Sequence, residues 1–380
     1  MLPLCPIEIL HKLPVTPTFA SSYFGFHAMP SFLTLLLLPL SWLYASVMAV
    51  RNWLYEAGWK SQKQFSEVPV LNVGNLRVGG TGKTPHVAWL VCWLQQKGQY
   101  PALLSRGYGR RTRGYRLAKA TDTAATIGDE PLQQFRHFGG LVPVVVSEDR
   151  VAGIGQLLRE APATTAVVLD DAYQHRRVQP TLSILLTEQE RPFYNDYVLP
   201  AGRLRESRSG ASRADVVVVT KCAPTLSAAV QGDITQRIRH YARQEVPVLF
   251  SWYDYGRPVA LGATLGQPSS EIILLTGIAR PEPLLQHLEA AGYRIVQHVR
   301  YADHHVFEAA ELRQLAAQLQ PGQCVLTTQK DAARLLEPVL ASIMAKLPVF
   351  YIPIEVRFLA DGETQLANLL TPYFQPHAVV

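Results

Sequence analysis

Phe32 to Val50 (FLTLLLLPLSWLYASVMAV) carries no charge. Drawn as a helix, this run measures about 28 Å, close to the thickness of a bilayer's hydrocarbon core. Arg51, Trp53, Tyr55, Trp59, Lys60 and Lys63 follow it, the mixture of rings and cations that a membrane–water interface selects. Pro39 kinks such a helix, so the run either spans the membrane or lies in its interface. The cationic flank is C-terminal, which puts the chain after residue 51 on the cytoplasmic side. A signal peptide fits poorly, because few cations precede the run and no small-residue cleavage site follows it.

Beyond the run, short apolar stretches alternate with helical periodicity. Strands are predicted near 68–73, 101–105, 142–146, 166–169, 182–186 and 215–219, with helical stretches between them. A Gly/Pro-rich stretch over 255–268 reads as a junction. Further strands near 271–275, 295–299, 323–327 and 349–352, with helices over 282–291 and 308–319, follow it. The pattern predicts an α/β chain: a parallel-sheet domain over 67–258, a second, smaller α/β domain over 259–380, and a membrane anchor with its interfacial segment over 29–66. Residues 1–28 hold no clear periodicity. Met29 stands immediately before the apolar run, and a start there makes 1–28 a non-native extension.

Composition narrows the class. Charged residues are 17% and hydrophobic ones 48%, which excludes a disordered or low-complexity chain. The formal charge of +6 favours anionic partners without choosing among nucleic acid, lipid and phosphorylated substrates. The four cysteines, Cys5, Cys92, Cys222 and Cys324, form no CxxC pair, which argues against a disulfide framework or structural zinc.

The strongest local signal is a glycine loop. An apolar strand (residues 69–73) runs into GNLRVGGTGKT over 74–84, and Val87, Leu90, Val91 and Leu94 then repeat with helical spacing. Strand, glycine loop, Lys-Thr, helix is the order of a P-loop NTPase, in which backbone N–H groups and a helix N-terminus cradle phosphate. Gly79, Gly80, Thr81, Gly82, Lys83, Thr84 and Pro85 are the expected nucleotide-binding residues. Lys83 would reach the β/γ-phosphates of ATP and the Thr84 hydroxyl would take Mg²⁺. The strict GxxxxGK[ST] pattern fails at its first glycine, where Arg77 stands. A second strand, Ala166–Leu169, ends in Asp170 and Asp171, and either supports the Mg²⁺ shell. Gln174 and His175 follow, at the carboxyl end of a strand where open α/β sheets bind ligands. Two P-loop classes lose weight: Val78 replaces the signature lysine of partitioning ATPases, and Ala223 replaces the aspartate of a GTPase [NT]KxD after Thr220-Lys221.

The motifs as a set resemble the tetraacyldisaccharide 4′-kinase family of lipid A biosynthesis. They are VGNLRVGGTGKTP, LSRGYGR (104–110), GDEP (128–131), SEDR (147–150), LDDAYQH (169–175), LPAGRLRE (199–206), TGIARP (276–281), YADHH (301–305) and TTQKDAARL (327–335). The resemblance covers about 29–360; residues 1–28 and the tail after 365 depart from it. It implies two α/β/α domains joined by a short two-stranded linker. The implied reaction is ATP- and Mg²⁺-dependent phosphorylation of the 4′-hydroxyl of tetraacyldisaccharide 1-phosphate, giving lipid IVA at the cytoplasmic face of the bacterial inner membrane. It implies that Asp129 pairs with His304 as the base, one from each domain, with Lys83 also catalytic. It places Glu130 by the metal and assigns Tyr108, Arg150, Gln174, His175, Arg205 and Glu206 to substrate. Thr328, Lys330 and Asp331 are read either as site residues or as a helix cap.

Arg106, Arg110, Arg111, Arg113 and Arg116, with Tyr108 and Tyr115, form either a solvated face or an anion-binding one. The partners expected are the acylated disaccharide and inner-membrane lipid, with no nucleic acid and no protein partner implied. The apolar helix is read as an anchor outside the phosphoryl-transfer machinery. The rival reading is an NTP-driven switch acting on a protein, which differs from a kinase in consuming ATP without the lipid.

Overall fold

The computed structural model describes residues 32–374, apart from 263 and 265. The alternative start and the extension 1–28 lie outside them. The strands are β1 (Val70–Asn75), β2 (Pro101–Ser105), β3 (Arg116–Leu117), β4 (Val144–Val146), β5 (Ala166–Asp170), β6 (Leu182–Glu188) and β7 (Val216–Thr220). They continue with β8 (Val248–Tyr255), β9 (Val259–Ala260), β10 (Glu271–Thr276), β11 (Arg294–Arg300), β12 (Cys324–Thr328), β13 (Val349–Ile352) and β14 (Ile354–Phe358). The helices are α1 (Phe32–Glu56), α2 (Lys83–Gln96), α3 (Ala124–Ile127), α4 (Asp129–His137), α5 (Arg150–Glu160) and α6 (Ala228–Arg239). The remainder are α7 (Glu282–Ala290), α8 (Ala309–Gln318), α9 (Gln329–Leu335), α10 (Ala341–Met344) and α11 (Gly362–Leu370).

The strands form two sheets. The larger has the order β14-β8-β7-β6-β1-β5-β2-β4-β3, parallel except for β3 and β14 at its edges. Its central strands are buried on both faces, which is why β1, β5, β6 and β7 read as continuous apolar runs. Leu71 and Val73 pack against Val87, Leu90, Val91 and Leu94 of α2 on one face. Val70, Val167 and Leu169 meet Ile154 and Leu157 of α5 on the other. The smaller sheet, β11-β10-β12-β13-β9, is parallel except for β9.

The second unit is smaller than the 259–380 span expected from the junction. β14 turns back after Pro353 and pairs antiparallel with β8, Ile354 against Tyr255 through Phe358 against Ser251. The segment after it packs on the first sheet: Phe358 meets Trp89 edge-on at 5.2 Å, and Leu366 and Leu370 enter the core around α2. The second sheet therefore occupies 259–352, and β8 with β14 is the pair of strands that connects the two. β14 is short and stands at a sheet edge, so it carries none of the continuous apolar pattern of the central strands.

α1 is long and apolar enough to cross a membrane by length and composition. Its two sides differ. Leu36, Leu40, Trp42, Leu43, Val47, Val50 and Trp53 are exposed. On the opposite side Ser41 Oγ accepts from the Ala201 amide at 2.9 Å, and Tyr55 is buried. Glu56 pairs with Arg176 at 3.4 Å.

Candidate active site

The glycine loop leaves the end of β1 and enters α2 at the middle of the larger sheet. Gly82 caps α2 with φ 87°, in the left-handed region. A Cβ there would stand 2.0 Å from the Tyr253 hydroxyl, so both backbone and space require glycine. His86, directly below, bonds the Gly82 carbonyl at 2.7 Å and Ser251 Oγ at 2.9 Å, and burial pushes its pKa down to about 4, keeping it neutral. Thr81 is buried and bonded by Asn75 Nδ2 at 2.5 Å, while Thr220 Oγ1 donates to its carbonyl at 2.9 Å. Gly79 and Gly80 are exposed, and Lys221 Nζ donates to the Gly80 carbonyl. Pro85 lies in the first turn of α2.

Arg77, which breaks the strict motif, needs no left-handed backbone. It forms an antiparallel bridge with Leu204, and Val78 N donates to the Arg203 carbonyl at 2.8 Å. Its guanidinium pairs with Asp196 at 2.6 Å and Glu188 at 3.7 Å. The first half of the loop is thus zipped onto the 203–205 segment, which supplies the rigidity that a tight glycine turn gives elsewhere.

The two aspartates at the end of β5 face different partners. Asp171, at φ 53°, receives a two-pronged bond from Arg205 (2.6 and 3.0 Å) and lies 3.7 Å from Lys83 Nζ. Burial opposes its charge, but Lys83 and Arg205 hold its carboxyl below the ordinary range. Asp170 is buried, and its Oδ1 has no partner among the described residues. Burial, and after it the neighbouring Glu130 charge, push the Asp170 carboxyl well above the usual range. Two carboxylates thus crowd the space beside the loop, and one of them has an oxygen that no described protein group pairs. That donor set fits a Mg²⁺ arriving with a nucleotide, which needs only one or two carboxylates plus phosphate oxygens. Among the described residues no larger cluster of His, Cys, Asp and Glu suited to a metal is present.

Asp129 and Glu130 open α4, whose cap Gly128 has φ 92°. A Cβ on Gly128 would come within 2.8 Å of the Tyr108 carbonyl. Gln134 ties α4 to α2 by donating to the Thr84 carbonyl at 2.9 Å. Across from α4 comes the second sheet. His304 Nδ1 is 3.0 Å from Asp129 Oδ2, and His304 itself has φ 64°. Arg334 Nη2 is 3.2 Å from the same oxygen and 3.3 Å from His304 Nδ1. Burial would raise Asp129, but the His304 bond and the Arg334 and Lys330 charges outweigh it and hold the carboxyl down. Lys330 Nζ lies 2.8 Å from Asp303 and 3.4 Å from His304 Nε2, flanking the ring on its other side.

The three motifs of the second sheet meet here. Thr328 caps α9 by accepting from the Asp331 amide at 3.0 Å, so its capping role is met. Asp331 is fully buried, accepting from Gly277 N at 2.9 Å and pairing with Arg334 at 2.9 Å. α4 and α9 form the seam between the sheets: Arg136 donates to the Ala333 carbonyl, and Gln329 Nε2 is 3.0 Å from His137 Nδ1.

The other residues expected at the site fall in four places. Gln174, Arg205 and Glu206 join one network: Gln174 Nε2 donates to the Asn75 carbonyl at 2.9 Å and to Glu206 at 3.0 Å. Arg150 is buried, its Nη1 on the Ser147 carbonyl at 3.0 Å; burial and then the Arg106 charge push it down to about 10. His175 lines a polar cavity with Arg176, Arg213 and Asp215 and without any glycine-loop residue. Tyr108 is 85% exposed on the loop after β2. Of the arginine cluster, Arg110 pairs with Glu148 and Arg116 with Asp122, both structural uses. Arg334, Thr220 and Lys221 were not singled out as site residues by sequence reading. The pair at 220–221 had a signal, since it ends an apolar strand; Arg334 had only its spacing, three residues from Asp331 on one helix.

The chain matches the family profile described as tetraacyldisaccharide-1-P 4′-kinase (LpxK) over residues 33–374. Among similar proteins, the tetraacyldisaccharide 4′-kinase of Cytophaga hutchinsonii is 43% identical over 342 residues, covering 89% of this chain and 95% of that one. The enzyme of the same name from Bacteroides thetaiotaomicron is 39% identical, covering 89% and 92%. A crystal structure of an "apo" form of LpxK from Aquifex aeolicus, in complex with ATP, superposes with a TM-score of 0.69 at 27% identity. That match covers 90% of this chain and 100% of the other.

Proposed function

The chain belongs to the tetraacyldisaccharide-1-P 4′-kinase family, and we propose that it transfers the γ-phosphoryl group of ATP to the 4′-hydroxyl of tetraacyldisaccharide 1-phosphate, giving lipid IVA. The observation that carries this reading is the Asp129–His304 contact at 3.0 Å, made between the two sheets and next to the helix that is tied to the glycine loop. Phosphoryl transfer asks for positioning, charge neutralisation and one proton acceptor. The loop amides and Lys83 hold and neutralise the phosphates. His304 Nδ1–H donates to Asp129 Oδ2 and aims the carboxylate, which takes the 4′-hydroxyl proton. Thr84, Asp170 and Glu130 are the residues to hold Mg²⁺. Asp171 is already engaged by Arg205 and Lys83, so Asp170 is the better of the two aspartates for that role. When bound, the metal would supply positive charge that offsets the negative charge of the phosphates. Arg150, Gln174, Arg205, Glu206 and Tyr108 belong to the acceptor side or its support.

The helix α1 places this chemistry at a lipid surface. Its inner side touches the body from Ser41 to Glu56. This supports α1 lying along the cytoplasmic face of the inner membrane, its exposed Trp and Leu side chains in the interface.

Incubation of the full chain with ATP, Mg²⁺ and the monophosphorylated lipid in detergent, followed by mass spectrometry, tests the reading. One added phosphate on the lipid is expected. ATP consumption that ignores the lipid would replace the kinase by an NTP-driven switch.

A further inference from the structure

Three side chains of α1 reach into the network that holds the phosphate site. Asn52 Nδ2 donates to Glu206 Oε2 at 2.8 Å. Tyr44 Oη donates to the Arg205 carbonyl at 3.1 Å, and Arg51 Nη2 to the Gln174 carbonyl at 2.7 Å. Glu206 is 1% exposed, so its carboxylate depends on protein donors. They are Asn52 on one oxygen, with Gln174 (3.0 Å) and Arg213 (2.7 Å) on the other. Gln174 also accepts from Arg205 Nη1 at 3.3 Å, and Arg205 grips Asp171, the partner of Lys83. From helix to phosphate-loop lysine the path is Asn52, Glu206, Gln174, Arg205, Asp171, Lys83, with no link longer than 3.7 Å.

Anchoring needs none of this. An anchor needs an apolar outer surface, which Trp42, Leu43 and Val47 provide. Asn52 is turned inward, and its amide gives its N–H to Glu206 although its own buried oxygen has no partner among the described residues.

We propose that Asn52 is a positioning residue for phosphoryl transfer: by holding Glu206 it keeps Gln174 and Arg205 on Asp171, so that seating of the membrane helix on the body sets the phosphate site. The proposal rests on the kinase reading above. Without the Asn52 N–H, one oxygen of a buried carboxylate has no donor among the described residues. The charge then draws on Gln174 and Arg213, and Gln174 is the group that also steadies Arg205. The anchor and the chemistry are thereby one device, contrary to the reading of α1 as a tether alone.

The test uses the full chain with detergent-dispersed lipid, so that membrane retention cannot limit the rate. Asn52→Leu removes the donor while keeping the branched shape of the side chain. It is expected to lower kcat about tenfold, the worth of one hydrogen bond to a charged acceptor, with the KM for lipid unchanged. In the absence of lipid it is expected to weaken binding of a non-hydrolysable ATP analogue, read by calorimetry. Asn52→Asp should do the same. Asn52→Asp with Glu206→Gln reverses the polarity of the bond and leaves an oxygen for Gln174 and Arg213, and should return both readouts towards wild type. Ser46→Ala, on the same helix, should change neither. Wild-type kcat and analogue affinity in Asn52→Leu would overturn the proposal. So would a loss confined to lipid KM or membrane retention, or a folded swap variant that recovers nothing. A wild-type protein inert towards the lipid sinks the kinase reading instead, and the analogue-binding arm still decides the coupling.

Discussion

His304→Ala and Asp129→Ala should be nearly as damaging singly as together. Their side chains meet at 3.0 Å, and the third party to that contact is Arg334, 3.2 Å from Asp129 Oδ2 and 3.3 Å from His304 Nδ1. With His304 present, the carboxylate divides its hydrogen bonding between a ring N–H and a guanidinium. With His304 gone, Arg334 alone commands that oxygen. A charge-assisted bond of this kind is worth about 1.5–3 kcal/mol, and it now draws the carboxylate towards the guanidinium and away from the 4′-hydroxyl. The remaining Asp129 is then misaimed, although without the His304 bond its carboxyl is no longer held down as far. General-base catalysis contributes about 10²–10⁴ in rate, or roughly 3–5 kcal/mol, and either substitution should forfeit most of it. Two independent losses of about a hundredfold would multiply to about 10⁴; here the double variant should stay within severalfold of the worse single one. The assay is kcat on detergent-dispersed lipid at saturating ATP, with the KM for ATP measured alongside and expected to move little. Multiplicative losses, together with rescue of Asp129→Ala by raised Mg²⁺, would refute the argument and turn Asp129 into a metal ligand.

Other substitutions test other parts of the structure. Gly82→Ala places a methyl group 2.0 Å from the Tyr253 hydroxyl at φ 87°; ATP binding should collapse, and Tyr253→Phe, which removes that oxygen, should restore part of it in calorimetry. His175 is pushed down to about 4 by burial and then by Arg150, from 6.5. It is neutral when folded and takes up a proton more readily when unfolded, so its contribution is complete above pH 6.5 and is lost as pH falls towards 4. The thermal midpoint should fall across that window, and less steeply in His175→Gln. Leu43→Glu puts a charge on the outer side of α1, where Leu43 is exposed. Sedimentation with vesicles should drop while kcat in detergent holds; a parallel loss of kcat would mean that this side of the helix is also part of the catalytic body.

The alternation of buried strand and helix, the glycine loop and the long apolar helix could all be read along the chain because each depends on neighbours in sequence. A strand buried on both faces must be apolar throughout, so β1, β5, β6 and β7 announced themselves. A phosphate cradle needs its glycines and its lysine consecutively, because the loop's own backbone does the binding. Asp129 and His304 were legible only as members of a motif set, since 175 residues separate them. Composition and periodicity carry no signal for a contact across two sheets. The same holds for β14, whose return to the first sheet is decided by pairing with β8 and by packing of Phe358 on Trp89. Tertiary structure alone distinguished Asp170 from Asp171: adjacent in sequence and identical in type, they differ because one carboxylate meets Arg205 and Lys83 while the other is buried beside Glu130. It alone gave Asn52 an inward partner, because helix periodicity says which residues share a face but not what that face touches. Short-range chemistry is written in spacing, whereas the charge and solvation that decide a side chain's role come from groups the fold brings to it from elsewhere in the chain.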